Sequence, residues 1–232
     1  MNLEQKALAY LERDRLLFAD MLEPLRRGSA ELLYVQEDGV LLYEQVGALY
    51  LMTARNPAGV GACLRRIPSG ALVSGHELWY KEEAAARLGF PEAQVCYQAA
   101  WLEREPPPEP EMVLRLLPVE RAPWVYEHYS HPFGGVEYME GVLRRGKLGA
   151  YVDGALAGFV GFHDEGSIGM LEVLPQFRRR GVGKALLHGA VRLALERGML
   201  PFGQVFYGND ASLSLQKRAG LQVSGPVLFW LM

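Results

Sequence analysis

Leu171-Glu172-Val173-Leu174-Pro175-Gln176-Phe177-Arg178-Arg179-Arg180-Gly181-Val182-Gly183-Lys184-Ala185-Leu186-Leu187 is the stretch whose reading decides the fold. An apolar, strand-like run enters a basic turn that opens a helix. Gly181 and Gly183 let backbone N–H groups approach a ligand without a Cβ in the way. The start of a helix carries unpaired N–H groups and about half a positive charge, which suits an anion. Arg178, Arg179, Arg180 and Lys184 surround that point with cations; a merely solvated basic turn is the plain alternative. Val182, Leu186, Ala190 and Leu193 recur on one face, widened by Leu187, Val191 and Leu195. Lys184, His188, Arg192 and Glu196 are predicted to form a solvated stripe. The helix therefore lies on a sheet, with its N-terminus at the strand's carboxyl end.

Two common phosphate motifs do not fit. A Walker loop needs GxxxxGK[ST], but Lys184 precedes alanine and no glycine stands five before Gly183. A dinucleotide fingerprint needs GxGxxG right after its strand, whereas Gly181-Val182-Gly183 runs on to Leu186 behind three arginines. The pattern V-x-P-x-x-R-x-x-G-x-G instead resembles the acyl-CoA pyrophosphate motif of the GCN5-related N-acetyltransferases (GNAT superfamily). Asn209-Asp210-Ala211-Ser212, Leu215 and Gly220-Leu221 are similar to that family's second helix motif. The succession strand, two helices, three strands, helix, strand, helix, strand over residues 112–232 also fits. The approach Pro201–Phe206 and the α/β half before it resemble tandem members related to glycine N-acyltransferase.

The resemblance implies a mixed-sheet α/β fold: a C-terminal GNAT fold preceded by a degenerate GNAT-like α/β half. It implies acetyl-CoA, or another acyl-CoA, as co-substrate, and a small-molecule amine or amino acid as acceptor. The pyrophosphate would rest on Arg178, Arg179, Arg180, Gly181, Val182, Gly183 and Lys184, with Asn209 and Ser212 also at the cofactor. Its pantetheine arm would pair with Leu171–Leu174, and an N–H near Leu171 or Val173 would polarise the thioester carbonyl. An amine has a pKa of about 10, so a base normally helps it lose a proton. The family's usual base position falls near Ser167, a departure. The candidates are Glu172, which can equally be a structural salt-bridge partner, and Glu165, which with His163 and Asp164 also reads as a polar turn. The family's thiolate-protonating tyrosine is replaced by Gln216; Tyr207 is a substitute candidate that also reads as an edge aromatic. A CoA-binding or sensor module with this fold, without catalysis, is the alternative. Tyr126, Tyr129, Phe133 and Tyr138 fall where the family shapes its acceptor pocket.

The rest of the chain sets the frame. Its 232 residues are half hydrophobic and 22% charged, with a net charge of −3. A chain-wide basic field for nucleic acid is absent. Cys63 and Cys96 are too few for a disulfide framework and read as core fillers. His76, His128, His131 and His188 lack metal-ligand spacing, so no metal is expected. The longest uncharged run, Ala219–Met232, is shorter than the ~18 residues of a membrane span. With no signal-like apolar start, the expected setting is cytoplasmic, as monomer or homodimer. Four prolines within Pro106–Pro110 cannot continue a helix or central strand. The expected division is residues 1–105, a linker at 106–111, and 112–232. Residues 1–110 carry net −5 and 111–232 net +2, which puts an anionic ligand in the second part. In the first part a helix is predicted over Leu3–Arg27 up to Gly28, then a hairpin turning at Asp38-Gly39. Asn56-Pro57-Ala58-Gly59-Val60-Gly61 faintly echoes the phosphate loop, but it lacks the arginine and Pro57 removes an N–H.

Overall fold

The computed structural model describes residues 1–131 and 134–232. Phe133 lies outside them. The chain runs α1 Leu3–Leu11, α2 Ala19–Arg27, β1 Ala30–Gln36, β2 Gly39–Glu44, β3 Leu49–Ala54, α3 Pro57–Leu64, β4 Val73–His76, α4 Lys81–Leu88 and β5 Gln94–Ala100. After the proline-rich segment come β6 Val113–Leu116, α5 Ala122–His128, α6 Gly135–Gly146, β7 Leu148–Val152, β8 Ala155–Phe162 and β9 Ile168–Val173. The chain ends with α7 Val182–Glu196, β10 Phe202–Phe206, α8 Asp210–Arg218 and β11 Gln222–Leu231.

Local chemistry explains most boundaries. Gly28 stops α2 in the left-handed region at φ +75°, its N–H returned to Leu25 and Pro24 carbonyls. Asp153 and Gly154 take φ +51° and +79°, the two positive values that a tight hairpin between β7 and β8 needs. The single helix expected over Leu3–Arg27 is two. Asp14 Oδ1 accepts the Leu17 N–H at 2.9 Å, and this local bond competes with continued helix. A 3₁₀ turn at Glu12–Asp14 therefore separates α1 from α2.

Two sheets form. One has seven strands in the order β1-β2-β3-β4-β11-β5-β10, the other four in the order β6-β7-β8-β9. α1 and α2 cover one face of the larger sheet, around Leu11, Leu22 and Phe202. α3 and α4 cover its other face, around Val60, Tyr80 and Phe229. α7 lies on one face of the smaller sheet and α5 with α6 on the other. Cys63 and Cys96 are buried and unpaired.

The chain crosses the proline segment once, but the larger sheet joins strands from both sides of it. β11 pairs with β4 and with β5, and β10 pairs with β5. The segment itself is pinned: Arg192 donates to the Pro107 carbonyl at 2.8 Å, and the Trp101 indole to that of Glu105 at 2.9 Å. That contact also corrects the expected solvated stripe of α7. Lys184 and Glu196 are exposed, but His188 is buried, its Nε2 3.0 Å from the Ala219 carbonyl. The linker and the end of α8 cover this side of the helix, which a helical period alone does not reveal.

Candidate active site

The site is built around the carboxyl end of β9. Leu174 donates to Ala157 O at 2.9 Å, and His163 to Ser167 O at 2.9 Å. These bonds set the phase of the β8–β9 ladder. Val173 stands opposite Gly158, Glu172 opposite Phe159, and Gly169 opposite Gly161. Met170 and Leu171 therefore share the single Val160, a β-bulge, and Met170 takes φ +51°. In an antiparallel ladder alternate residues turn their N–H to alternate sides. Glu172 bonds toward β8, so Leu171 and Val173 turn theirs away from it. On that side β9 has no strand partner among the described residues. It only approaches β10, where a Cβ on Gly203 would come within 2.6 Å of the Ile168 carbonyl.

Beyond β9 the chain turns through Pro175–Phe177 into the basic loop. Arg178 folds back: its Nε donates to Val173 O at 3.0 Å, and Nη2 lies 3.4 Å from Glu172 Oε1. Arg180 reaches Asp153 at 3.6 Å across the hairpin, with both side chains exposed. Arg179 and Lys184 project into solvent. Gly181, at φ +81°, starts α7 with no capping side chain, and a Cβ there would meet nothing within 4 Å. The helix start is thus uncapped, with open space beside Gly181, and its first N–H groups have no partner within the helix. Gly183 packs closer, 3.3 Å from Leu215 of α8 to an added Cβ, and Val182 is buried beneath.

The other candidates scatter. Glu172 is 12% exposed and accepts from Ser130 Oγ at 2.6 Å and Ser130 N at 3.1 Å. Glu165 is buried with Ser167 Oγ on its carboxylate, and its carbonyl accepts from Arg27 at 3.1 Å. Glu172 is the penultimate residue of β9 and Glu165 lies in the turn that precedes the strand, so the two acids sit toward opposite ends of it. Only Glu172 is beside the open end. Tyr207 is 68% exposed and stacks on Tyr97 at 6.0 Å. Asn209 caps α8, its Oδ1 accepting from Ser212 N at 3.1 Å. Gln216 is buried, and its Oε1 has no hydrogen-bond partner among the described residues.

The sequence reading missed three groups. Ser130 follows α5 without any motif. Lys147 ends up wholly buried where α6 meets β7. Asp20 and His76, also buried, pair at 2.8 Å. The available signal for Lys147 was its place between Gly146 and Leu148-Gly149-Ala150, within an apolar run. Tyr126, Tyr129 and Tyr138 each pack against the buried cluster between α5, α6 and the smaller sheet. Burial lifts the Tyr129 phenol to about 12, with Glu172 adding to it. Among the described residues no group of three His, Cys, Asp or Glu side chains could hold a metal ion. None of their helices is long and apolar enough to cross a membrane.

The profile of the acetyltransferase (GNAT) family matches residues 96–221. No curated protein matches the chain. Among solved structures, a Drosophila protein from a structural-genomics programme aligns with TM-score 0.64 and 19% identity, over 99% of this chain and 89% of that one. A GCN5-related N-acetyltransferase from Sphaerobacter thermophilus aligns with TM-score 0.50 and 19% identity, over 99% and 93%. A tandem GNAT protein from the clavulanic acid biosynthesis pathway aligns with TM-score 0.50 and 16% identity, over 98% and 92%. At these identities the likeness concerns the fold.

Proposed function

The chain belongs to the acetyltransferase (GNAT) family, and from that premise we propose that it transfers an acetyl or short acyl group from CoA to a primary amine. The acceptor is a small molecule or an amino acid, and its amine attacks the thioester directly. One observation carries the reading. The uncapped start of α7 lies at the end of a strand whose outward N–H groups, at Leu171 and Val173, have no neighbouring strand. An anionic pyrophosphate fits the first, with Arg179 and Lys184 free to swing onto it. An amide-rich pantetheine arm fits the second, and it would occupy the gap between β9 and β10. The thioester carbonyl then meets an N–H of β9, which stabilises the oxyanion as the amine adds. Collapse releases CoA thiolate, whose pKa near 8.5 allows departure at neutral pH with solvent or Tyr207 supplying the proton. Glu172 takes the proton of the incoming ammonium in this reading, which its contacts with Ser130 and Arg178 at the end of β9 support. The buried Gln216 favours a second reading, binding of acyl-CoA without transfer. Release of free CoA from acetyl-CoA across an amine panel, with calorimetric binding alongside, tests both. Turnover on an amine supports transfer. Tight binding with no turnover supports the second reading, and no acetyl-CoA binding overturns both.

A further inference from the structure

Lys147 is the one described lysine with no exposed surface, and no described carboxylate forms an ion pair with it. The other buried ions are compensated. Asp20 has His76, Glu44 has Arg27 and the Gly47 N–H, and Glu23 accepts the Leu200 N–H. Lys147 Nζ lies instead over the Phe159 ring at 4.6 Å and the Tyr129 ring at 5.9 Å. Its hydrogen bond goes to one backbone atom, the Met170 carbonyl, at 3.4 Å. Gly161 makes the room, since a Cβ there would come within 3.3 Å of Nζ. An isolated buried ammonium is unfavourable, and burial lowers its pKa to about 7. A group kept at such a disadvantage, on the carbonyl of a residue held at φ +51°, calls for a reason.

The peptide geometry supplies one. A trans peptide is planar, with its C=O and N–H pointing opposite ways. The oxygen of the Met170–Leu171 peptide meets Lys147 Nζ beside Phe159 and Gly161 of β8. Its hydrogen, on Leu171, then faces the gap between β9 and β10. We propose that Lys147 is a positioning residue for acyl transfer: its Nζ holds the bulged Met170–Leu171 peptide and polarises it, strengthening the Leu171 N–H as a donor to the thioester carbonyl. This rests on the acyl-CoA reading above. A charged donor on the carbonyl makes a stronger bond than a neutral one. Hydrogen bonds in a chain strengthen one another by an order of 10–30% each. Deleting a whole oxyanion donor typically costs ~10²–10³-fold in kcat, so losing only its polarisation is expected to cost about 10-fold.

The test reads the carbonyl itself. Carbonyl-labelled ¹³C-acetyl-CoA is bound to the full chain at pH 6.5, and its thioester C=O stretch is recorded by difference infrared spectroscopy. For Lys147→Met we expect the band to move back toward its free frequency. CoA affinity should stay within about 2-fold, KM for acetyl-CoA should change little and kcat should fall about 10-fold. Lys147→Gln keeps a neutral donor and is expected to lie between. A wild-type band in a Lys147→Met protein that still binds CoA overturns the proposal. If neither variant folds, the wild type decides: the Leu171 amide shift must follow the protonation of Nζ. The titratable groups facing Nζ are Tyr129 at the end of α5 and His163 beyond β8, with Glu172 of β9 beside Tyr129. Tyr129 is held near 12 and burial lowers His163. Selective observation of the lysine ¹⁵Nζ therefore separates the events, and a Leu171 amide that ignores it overturns the proposal. Absence of acetyl-CoA binding to the wild type fails the acyl-CoA reading itself, and this one with it.

Discussion

β3 runs into α3 and then β4, just as β9 runs into α7 and then β10, yet the two places differ in who fills them. β3 and β4 are zipped in parallel from Tyr50↔Val73 to Thr53↔His76, so no gap exists between them. α3 starts with Asn56, whose Oδ1 accepts the Gly59 N–H at 2.9 Å, and Pro57 removes another donor. A Cβ on Gly59 would sit 2.5 Å from the Asp38 carbonyl, so the protein's own backbone covers that helix start. β9 and β10 share no ladder, and α7 starts uncapped, with nothing within 4 Å of a Cβ added at Gly181. The same local order of elements can therefore be closed or open. What decides is whether the chain itself satisfies the strand edge and the helix start.

The comparison breaks most severely if the first half is removed from the second. Residues 1–110 lack β11, which lies between β4 and β5. Expressed alone, they are expected to show no cooperative thermal transition by circular dichroism; a sharp one would mean that the closed region folds by itself.

Asp20 ties the same strands together. It accepts from His76 at 2.8 Å and Ser74 at 3.2 Å on β4, from Gln98 at 3.1 Å on β5 and from Gln204 at 3.1 Å on β10. His76 Nδ1 faces the Met52 carbonyl at 3.0 Å, so both ring nitrogens meet acceptors and the imidazolium is favoured. Burial lowers its pKa, but the Asp20 carboxylate and these bonds raise it further, to a net value above the ordinary one. Asp20→Asn leaves a buried ion without its partner and is expected to destabilise by about 3–5 kcal/mol in denaturant melts. Because the folded pKa is raised, this stabilisation is complete below His76's unfolded value of about 6.5 and fades as pH rises through the folded one. A pH series of melting temperatures should show that fall in the wild type and lose it in Asp20→Asn.

At the open place, Gly183→Asp puts a carboxylate where the pyrophosphate is proposed. Acetyl-CoA affinity should fall at least ~100-fold, or about 2.7 kcal/mol, by calorimetry. The fold should survive, since an acidic residue suits a helix start and the nearest atom to the new Cβ is a flexible Leu215 methyl. Unchanged binding would make the two helix starts equivalent. Glu172→Gln is expected to lower kcat by ~100-fold with little effect on acetyl-CoA affinity. Higher pH should rescue it in part, because more amine arrives deprotonated; a wild-type rate across pH 6–9 would make Glu172 structural. Tyr207→Phe, at an exposed ring, should cost no more than ~10-fold in kcat by the same assay.

Elements set by nearest neighbours along the chain were legible in the sequence. The Asp38-Gly39 and Asp153-Gly154 hairpins, the Gly28 stop and the Arg178–Gly183 loop into α7 depend on turn chemistry within a few residues. So was the family, because its motif is itself local. Interactions made across the sheet were not legible. His188 has the spacing of a solvated stripe, but the end of α8 lies over it. Glu165 and Glu172 looked equivalent as acids, and only the ladder places one beside the gap and the other at the far end of β9. The Asp20–His76 pair carries no local pattern, and the apolar run around Lys147 signals its burial but not what it meets. Their partners, Met170, Phe159, Gln98 and Gln204, come from strands 12 to 184 residues away. The amino-acid sequence alone determined most of the elements and the basic glycine loop into α7, since short-range backbone preferences suffice for them. Tertiary structure alone decided which helix start stays open and which buried charges face each other, because both depend on strands that meet only when β5 and β11 interlace.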